Sequence, residues 1–67
     1  MQISARNQLK AKIESIKNGP VSTEVTLNVG GQKMVSVITT ESAILMGLKT
    51  GDDVSALVKA SNVMLMK

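Results

Sequence analysis

The sequence predicts an all-β protein, a small five-stranded antiparallel barrel with one short helix between the third and fourth strands. The clearest observation is the strict alternation of inward and outward residues from Val21 to Val29, which is typical of a half-buried strand. Gly30 and Gly31 follow directly, and paired glycines between two such runs predict a tight hairpin. A helical pattern occurs once, from Glu41 to Met46. The chain therefore divides into strands and hairpins around a single short helix.

The first strand is predicted over 9–14, where apolar and charged residues alternate. Ile16 breaks that alternation, so we expect a bulge or strong twist near Ser15. The segment 18–20, with the sequence Asn-Gly-Pro, predicts a turn before the second strand, because glycine permits a positive φ and proline donates no ladder hydrogen bond.

The return strand is predicted over about 32–39, and its apolar residues lie on both faces, which predicts burial on both sides for part of its length. Thr39 or Thr40 can cap the helix that follows, and Glu41 lies in its first turn, where the helix dipole favours an acid. Gly47 is predicted to end this helix of about two turns.

Two more strands are predicted after the helix, at Val54–Ala60 and Val63–Met66, separated by Ser61 and Asn62. Three strands, a short helix and two strands are the OB-fold order, so we predict an OB-like barrel. The last strand is apolar on both faces, which leaves Met64 and Met66 in water unless another subunit covers them.

The composition sets limits on size and chemistry. The 67 residues fit a single domain, 1–67, and they include no cysteine, histidine or aromatic residue. A chain of this length is marginally stable alone, which favours a homo-oligomer. Without thiol or imidazole we expect no catalytic residues, no enzyme activity and no metal site.

The net charge of +3 suits an anionic partner. The absence of a signal-peptide core and of any apolar run of about 20 residues predicts a cytoplasmic protein without a membrane partner.

Four polar residues are candidates for binding an anion, because they lie where predicted strands begin or end: Ser4, Arg6, Lys59 and Ser61. Guanidinium, ammonium and hydroxyl groups donate hydrogen bonds, and a tetrahedral dianion requires many donors and no facing acceptor. From the pattern alone, solvated surface side chains are the more common explanation of such residues.

The segment 4–9, Ser-Ala-Arg-Asn-Gln-Leu, resembles the opening motif of the molbindins, small molybdate-binding proteins once described as molybdenum-pterin-binding. The segment 38–43 and the closing segment 59–65, Lys-Ala-Ser-Asn-Val-Met-Leu, are similar to the rest of that pattern. The resemblance covers nearly the whole chain. It implies an OB-like barrel that assembles as a homohexamer, a trimer of dimers, with oxyanions held between subunits.

The resemblance also assigns site residues. It implies anion binding by the side chains of Ser4, Arg6, Lys59 and Ser61, helped by backbone N–H groups that include those of Ala5 and Ala60. A second class of site is expected at the turn, with Gly19, Val21 and Ser22. The implied function is reversible intracellular storage or buffering of molybdate and tungstate, with no covalent cofactor.

Three alternatives belong to other classes of protein. An OB-fold nucleic-acid-binding module is compatible with the net charge, but no aromatic side chain is present to stack on bases. A pterin carrier lacks the same stacking groups. A purely structural assembly module would leave the candidate site residues as solvated charges. We therefore expect no nucleic acid among the partners.

Overall fold

The computed structural model describes Ser4 and residues 6–67, and it forms one antiparallel sheet with a short helix. The strand order in the sheet is β3-β2-β1-β4, which places the first and second strands at its centre. The predicted position of the helix, between the third and fourth strands, is confirmed. The elements in chain order are β1 Asn7–Asn18, β2 Ser22–Val29, β3 Gln32–Thr39, α1 Thr40–Met46, β4 Asp53–Val58 and the single-turn 3-10 helix α2 Ala60–Asn62.

The first strand contains the predicted bulge. Ile13 pairs with Leu27 and Ser15 pairs with Thr26, so Glu14 is the extra residue on β1. The extra residue shifts the alternation of inward and outward side chains by one position. Ile16 therefore packs against the buried core on the same side as Ile13. β1 is therefore one long strand that pairs with β2 along one edge and with β4 along the other.

The hairpin between β2 and β3 is tight, as predicted. Val29 pairs with Gln32, and the two glycines between them have φ values of 59° and 92°. Two successive positive φ angles match the hairpin turn that follows the twist of the strands. The side-chain oxygen of Asn28 accepts a hydrogen bond of 2.8 Å from the amide of Gly31 and stabilises this turn.

The helix begins and ends at predicted residues. The side chain of Thr39 accepts a hydrogen bond of 3.1 Å from Ser42 N–H, so Thr39, not Thr40, is the N-cap. Gly47 takes the left-handed conformation with φ 62°, and its N–H donates to Ile44 O at 3.0 Å. The hydroxyl of Thr40 is consequently available for contacts outside the helix.

The buried core is small and lies between the two central strands and the helix. Four of its five apolar members come from alternate positions of β1 and β2, in agreement with the predicted inward faces, and the fifth comes from α1. Thr23 is the buried polar residue among those described, with no exposed surface. The buried apolar residues are Ala11, Ile13, Val25, Leu27 and Ala43.

The predictions of a fifth strand and of a closed barrel are not confirmed. β4 ends at Val58, short of the predicted Ala60, and the segment 63–67 has no regular structure. Leu65 is 95% exposed. A strand needs a neighbour with which to form a ladder, and in this single chain the tail lies against no strand. The described residues therefore form an open sheet of four strands, with β3 and β4 at its edges.

The prediction that β3 is buried on both sides is wrong for the single chain. Val35 and Val37 are 57% and 66% exposed, whereas Met34 and Ile38 pack against the core. The reason is that no second layer of the chain covers the outer face of this edge strand. Neither of the helices that the structure describes has the length and apolar character needed to traverse a bilayer.

Candidate anion-binding site

Arg6 and Lys59 flank the terminal pair of the β1–β4 ladder. Asn7, the first residue of β1, pairs with Val58, the last residue of β4. In an antiparallel ladder the residue before one partner lies opposite the residue after the other. Arg6 and Lys59 therefore both lie next to the last pair at one end of the β1–β4 ladder, although they are 53 positions apart in the sequence.

No carboxylate neutralises these two cations in the part of the chain that the structure describes. The salt bridge found there joins Lys12 and Asp53 at 3.3 Å, at the opposite end of the β1–β4 ladder. Asp53 and Lys59 are separated by about 20 Å at the rise of an extended strand. The ladder thus has an acidic residue at one end and unpaired positive charge at the other.

The closing segment folds back directly after β4. Asn62 N–H donates to Lys59 O at 2.9 Å, and Val63 N–H donates to Ala60 O at 3.3 Å. Ser61, two residues after Lys59, lies in this turn and has an exposed side chain. Hydroxyl and ammonium donors are therefore held close to the end of β4, where Arg6 also lies.

Ser4 lies in a bend before β1, and its side chain is exposed. Ala5, the other predicted residue of this segment, lies outside the described residues. The side chains of Arg6, Lys59 and Ser61 are also exposed. A single chain therefore presents these donors at its surface, where solvent and salt weaken their attraction for an anion.

The second predicted site lies at the other end of β1, in the turn of residues 19–22. Gly19 N–H donates to Ser22 O at 3.0 Å, so this amide is engaged within the turn. Thr40 N–H donates to Val21 O at 2.8 Å, and the Thr40 hydroxyl donates to Gly19 O at 2.7 Å. Val21 and Ser22 are exposed at the tip of the turn.

Sequence reasoning missed Thr23 and Thr40, which hold this turn. Their hydroxyl oxygens are 2.7 Å apart, and the oxygen of Asn18 lies 3.4 Å from that of Thr23. A signal was present, because Thr23 is the polar residue on the inward face of an otherwise aliphatic strand. A polar group at a buried position needs a hydrogen-bond partner, which predicts a local network.

Replacing Gly19 by alanine is expected to destabilise the fold by about 1–3 kcal/mol, since a Cβ at this position would lie 2.5 Å from Ser22 O, a backbone atom. Thermal or urea unfolding measures the loss. Gly30→Asn is the matched control, because that glycine has φ 59° and no atom within 4 Å of an added Cβ, and asparagine tolerates this conformation. Equal stability of the Gly19→Ala protein and the wild type would contradict the described turn.

A groove of about 500 Å³ opens between the two edges of the sheet. Its walls are mainly aliphatic and come from both edge strands, with Met34 and Ile38 on β3 and Val54 and Ala56 on β4. It is unsuited to a dianion, because most of its lining is apolar and no cationic side chain is part of it. Within residues 4 and 6–67 no three His, Cys, Asp or Glu side chains converge on a point.

A small open β-sheet with exposed cationic and hydroxyl side chains next to one end of a ladder is compatible with a domain that binds anions. The TOBE domain family model matches residues 3–65, and the chain belongs to this family, among the small molbindin-type members.

Individual proteins that bind molybdate or carry a molybdenum-pterin-binding name are similar to this chain in sequence or structure. The chain is 45% identical to "Molybdenum-pterin-binding protein 2" of Clostridium pasteurianum over 98% of each chain. Its structure is similar to that of a molybdate-binding protein from Sporomusa ovata, with a TM-score of 0.95, 37% identity and full coverage of both chains. It is also similar to the cytoplasmic molybdate-binding protein ModG, whose structure has molybdate bound, with a TM-score of 0.88 and 43% identity. That match covers 96% of this chain and 46% of ModG.

Proposed function

We propose that this protein binds molybdate, and equally tungstate, reversibly for storage or buffering in the cytoplasm, at sites shared between copies of the chain. The observation that carries the proposal is the end of the β1–β4 ladder at Asn7 and Val58, which Arg6 and Lys59 flank and where neither forms a salt bridge among the described residues. The names of the relatives, which specify molybdate or molybdenum, support the choice of ion. The similarity to ModG, a cytoplasmic protein, supports the location.

The donor set matches a tetrahedral dianion. Arg6 supplies a rigid fork of N–H donors, Lys59 an ammonium group, and Ser4 and Ser61 hydroxyl groups, with the backbone N–H groups of Ala5 and Ala60 as further donors. A dianion about 4 Å from one cation gains about 8 kcal/mol at an effective dielectric constant of 20, and dehydration of the ion opposes most of that gain. Donor number and pocket size therefore decide selectivity more than charge does. Molybdate and tungstate have nearly the same shape, whereas sulfate is smaller and contacts fewer donors.

A second copy of the chain is needed to enclose the ion. The four side chains that would bind it are exposed in a single chain, where a bound dianion would remain largely hydrated. The radius of gyration is 12.4 Å, larger than the value of about 11 Å expected for a compact chain of this length. Both observations support a site that is completed between subunits.

The apolar tail 63–66 supplies the contact between copies. Its residues are exposed, and the open groove of another copy presents aliphatic walls and two unpaired strand edges. A tail that enters this groove gains backbone hydrogen-bond partners on β3 and β4, and both of its faces are then covered. The fifth strand of a closed OB-like barrel then comes from a partner, and we propose a homohexamer, a trimer of dimers, as the assembly.

The turn of residues 19–22 forms the second class of oxyanion site in this proposal. The Val21 N–H donates to no acceptor among the described residues, and the Ser22 hydroxyl is exposed next to it. The Gly19 amide already donates to Ser22 O, so Gly19 contributes the shape of the turn rather than a donor. This site lacks a cation, so donors from several copies must converge on the ion.

The function is binding without reaction, and isothermal titration calorimetry tests it. We expect molybdate and tungstate to bind with similar affinity and sulfate to bind at least tenfold more weakly.

A gel shift with oligo-dT at moderate salt tests the nucleic-acid alternative, for which we expect no retention because the chain has no aromatic side chain. Absence of heat with both molybdate and tungstate, or robust retention of the oligonucleotide, would contradict the proposal.

A further inference from the structure

The hydroxyl of Thr40 has a role that capping does not explain. Thr39 already caps the helix, and the Thr40 side chain instead points to the turn, where it donates to Gly19 O at 2.7 Å. The backbone N–H of the same residue donates to Val21 O at 2.8 Å. One residue at the start of α1 therefore fixes two carbonyl groups of the turn, on either side of Pro20.

The direction of the hydrogen bonds follows from counting protons. A hydroxyl group has one proton, and that of Thr40 is used for Gly19 O. The bond of 2.7 Å between the two threonines is consequently donated by Thr23, which is completely buried, and this shorter bond uses the one hydroxyl proton that the Asn18 oxygen, at 3.4 Å, could otherwise accept. Thr23 thus holds the Thr40 hydroxyl in the orientation that reaches Gly19.

These two anchors determine which way the turn presents its donors. The Gly19–Pro20 peptide has no N–H group, so its carbonyl is the group through which the rest of the protein can orient it. In a trans peptide the C=O and N–H point in opposite directions, so the bond from Thr40 to Val21 O directs the Ser22 N–H away from the helix. Between the two fixed peptides, the Val21 N–H remains at the exposed tip.

We infer that Thr40 is a positioning residue for oxyanion binding at the turn of residues 19–22, acting through its hydroxyl bond to Gly19 O rather than by touching the ion. This inference rests on the proposed function of the turn. A partner that orients a ligating group typically changes affinity about 10- to 100-fold when it is removed. Thr40→Val removes the hydroxyl and keeps the shape of the side chain and the backbone N–H.

The test is molybdate calorimetry of Thr40→Val in the Arg6→Ala background, where binding at the cationic site is about 10- to 100-fold weaker, so that a larger share of the heat at low molybdate concentration comes from the turn. We expect affinity at the turn to fall about 10- to 100-fold, and Thr40→Ser, which restores a hydroxyl, to recover it to within about threefold. Thr39→Val is the matched control. It removes the helix cap one residue away, and we expect it to lower the melting temperature without changing affinity at the turn.

Amide hydrogen exchange provides a readout that a general loss of stability does not move selectively. Molybdate should protect the amides of Val21 and Ser22 in the Arg6→Ala protein but not after Thr40→Val is added. Unchanged affinity in Thr40→Val, or an equal loss in Thr39→Val, would overturn the positioning role. Failure of the wild-type protein to bind molybdate would instead contradict the proposed function itself, and a single class of sites insensitive to Thr40→Val would overturn only this inference.

Discussion

Replacing Arg6 or Lys59 by alanine is expected to weaken molybdate binding about 10- to 100-fold in each case and to leave the assembly intact. Hydrogen bonds to charged groups contribute about 1.5–3 kcal/mol each, which corresponds to this range of affinity. Both side chains are exposed in the single chain and lie outside the core, so neither is needed for folding. Calorimetry measures the affinity, and size-exclusion chromatography with light scattering measures the assembly.

Two further variants separate a specific site from a general effect of charge. Lys33 is an exposed cation on β3 opposite Asn28, beside the hairpin rather than at the end of β4. Lys33→Ala lowers the net charge by the same amount, and we expect its affinity to stay within about twofold of the wild type. Arg6→Lys keeps the charge and loses the planar fork, so we expect an intermediate loss. Equal affinity of Arg6→Ala, Lys59→Ala and the wild type would contradict the assignment of the site.

Leu65→Asp is expected to dissociate the assembly and to abolish molybdate binding with it. Leu65 is 95% exposed in the single chain, so a carboxylate there costs an isolated monomer almost nothing. In the groove of a partner the same carboxylate would be buried among aliphatic side chains without a counter-ion, which costs several kcal/mol per site. The variant therefore distinguishes an exposed tail from one that inserts into another copy.

The control for this variant is Leu65→Met, which keeps an apolar side chain of similar volume and should leave the mass of the assembly unchanged. Light scattering over a range of protein concentrations measures the mass, and circular dichroism checks that the sheet remains folded. An assembly of wild-type mass and affinity in Leu65→Asp would show that the tail does not carry the contact between copies.

Local sequence patterns predicted most of the sheet. The break in alternation at Ile16 indicated the bulge, and the paired glycines at 30 and 31 indicated the hairpin, because each pattern reports a constraint within one or two strands. Gly47 and the pair of threonines at 39 and 40 indicated the ends of the helix for the same reason, and the structure selects Thr39 as the N-cap. The prediction of a fifth strand at 63–66 was not confirmed, since its apolar pattern reports that the tail is covered but not by which chain.

The candidate sites, like the sheet, were predicted from the sequence only in part. Arg6 and Lys59 were predicted as candidates from their positions at strand ends and from the motif resemblance, whereas the β1–β4 register, which has them flank the same terminal pair, is specified by no local pattern. The role of Thr40 was not predicted, because the sequence offers two adjacent threonines as caps and only the fold shows which hydroxyl is left over. Long-range register and side-chain hydrogen bonds depend on tertiary packing, and a pattern within one segment does not record them.

Native mass spectrometry of the purified protein with and without molybdate tests most directly whether copies of this chain enclose the ion together. We predict a hexamer of the 7.1 kDa chain whose mass rises by whole numbers of molybdate ions, with bound ions found on the assembly and none on monomers. A protein that stays monomeric at micromolar concentration and gains no mass from molybdate would contradict the account.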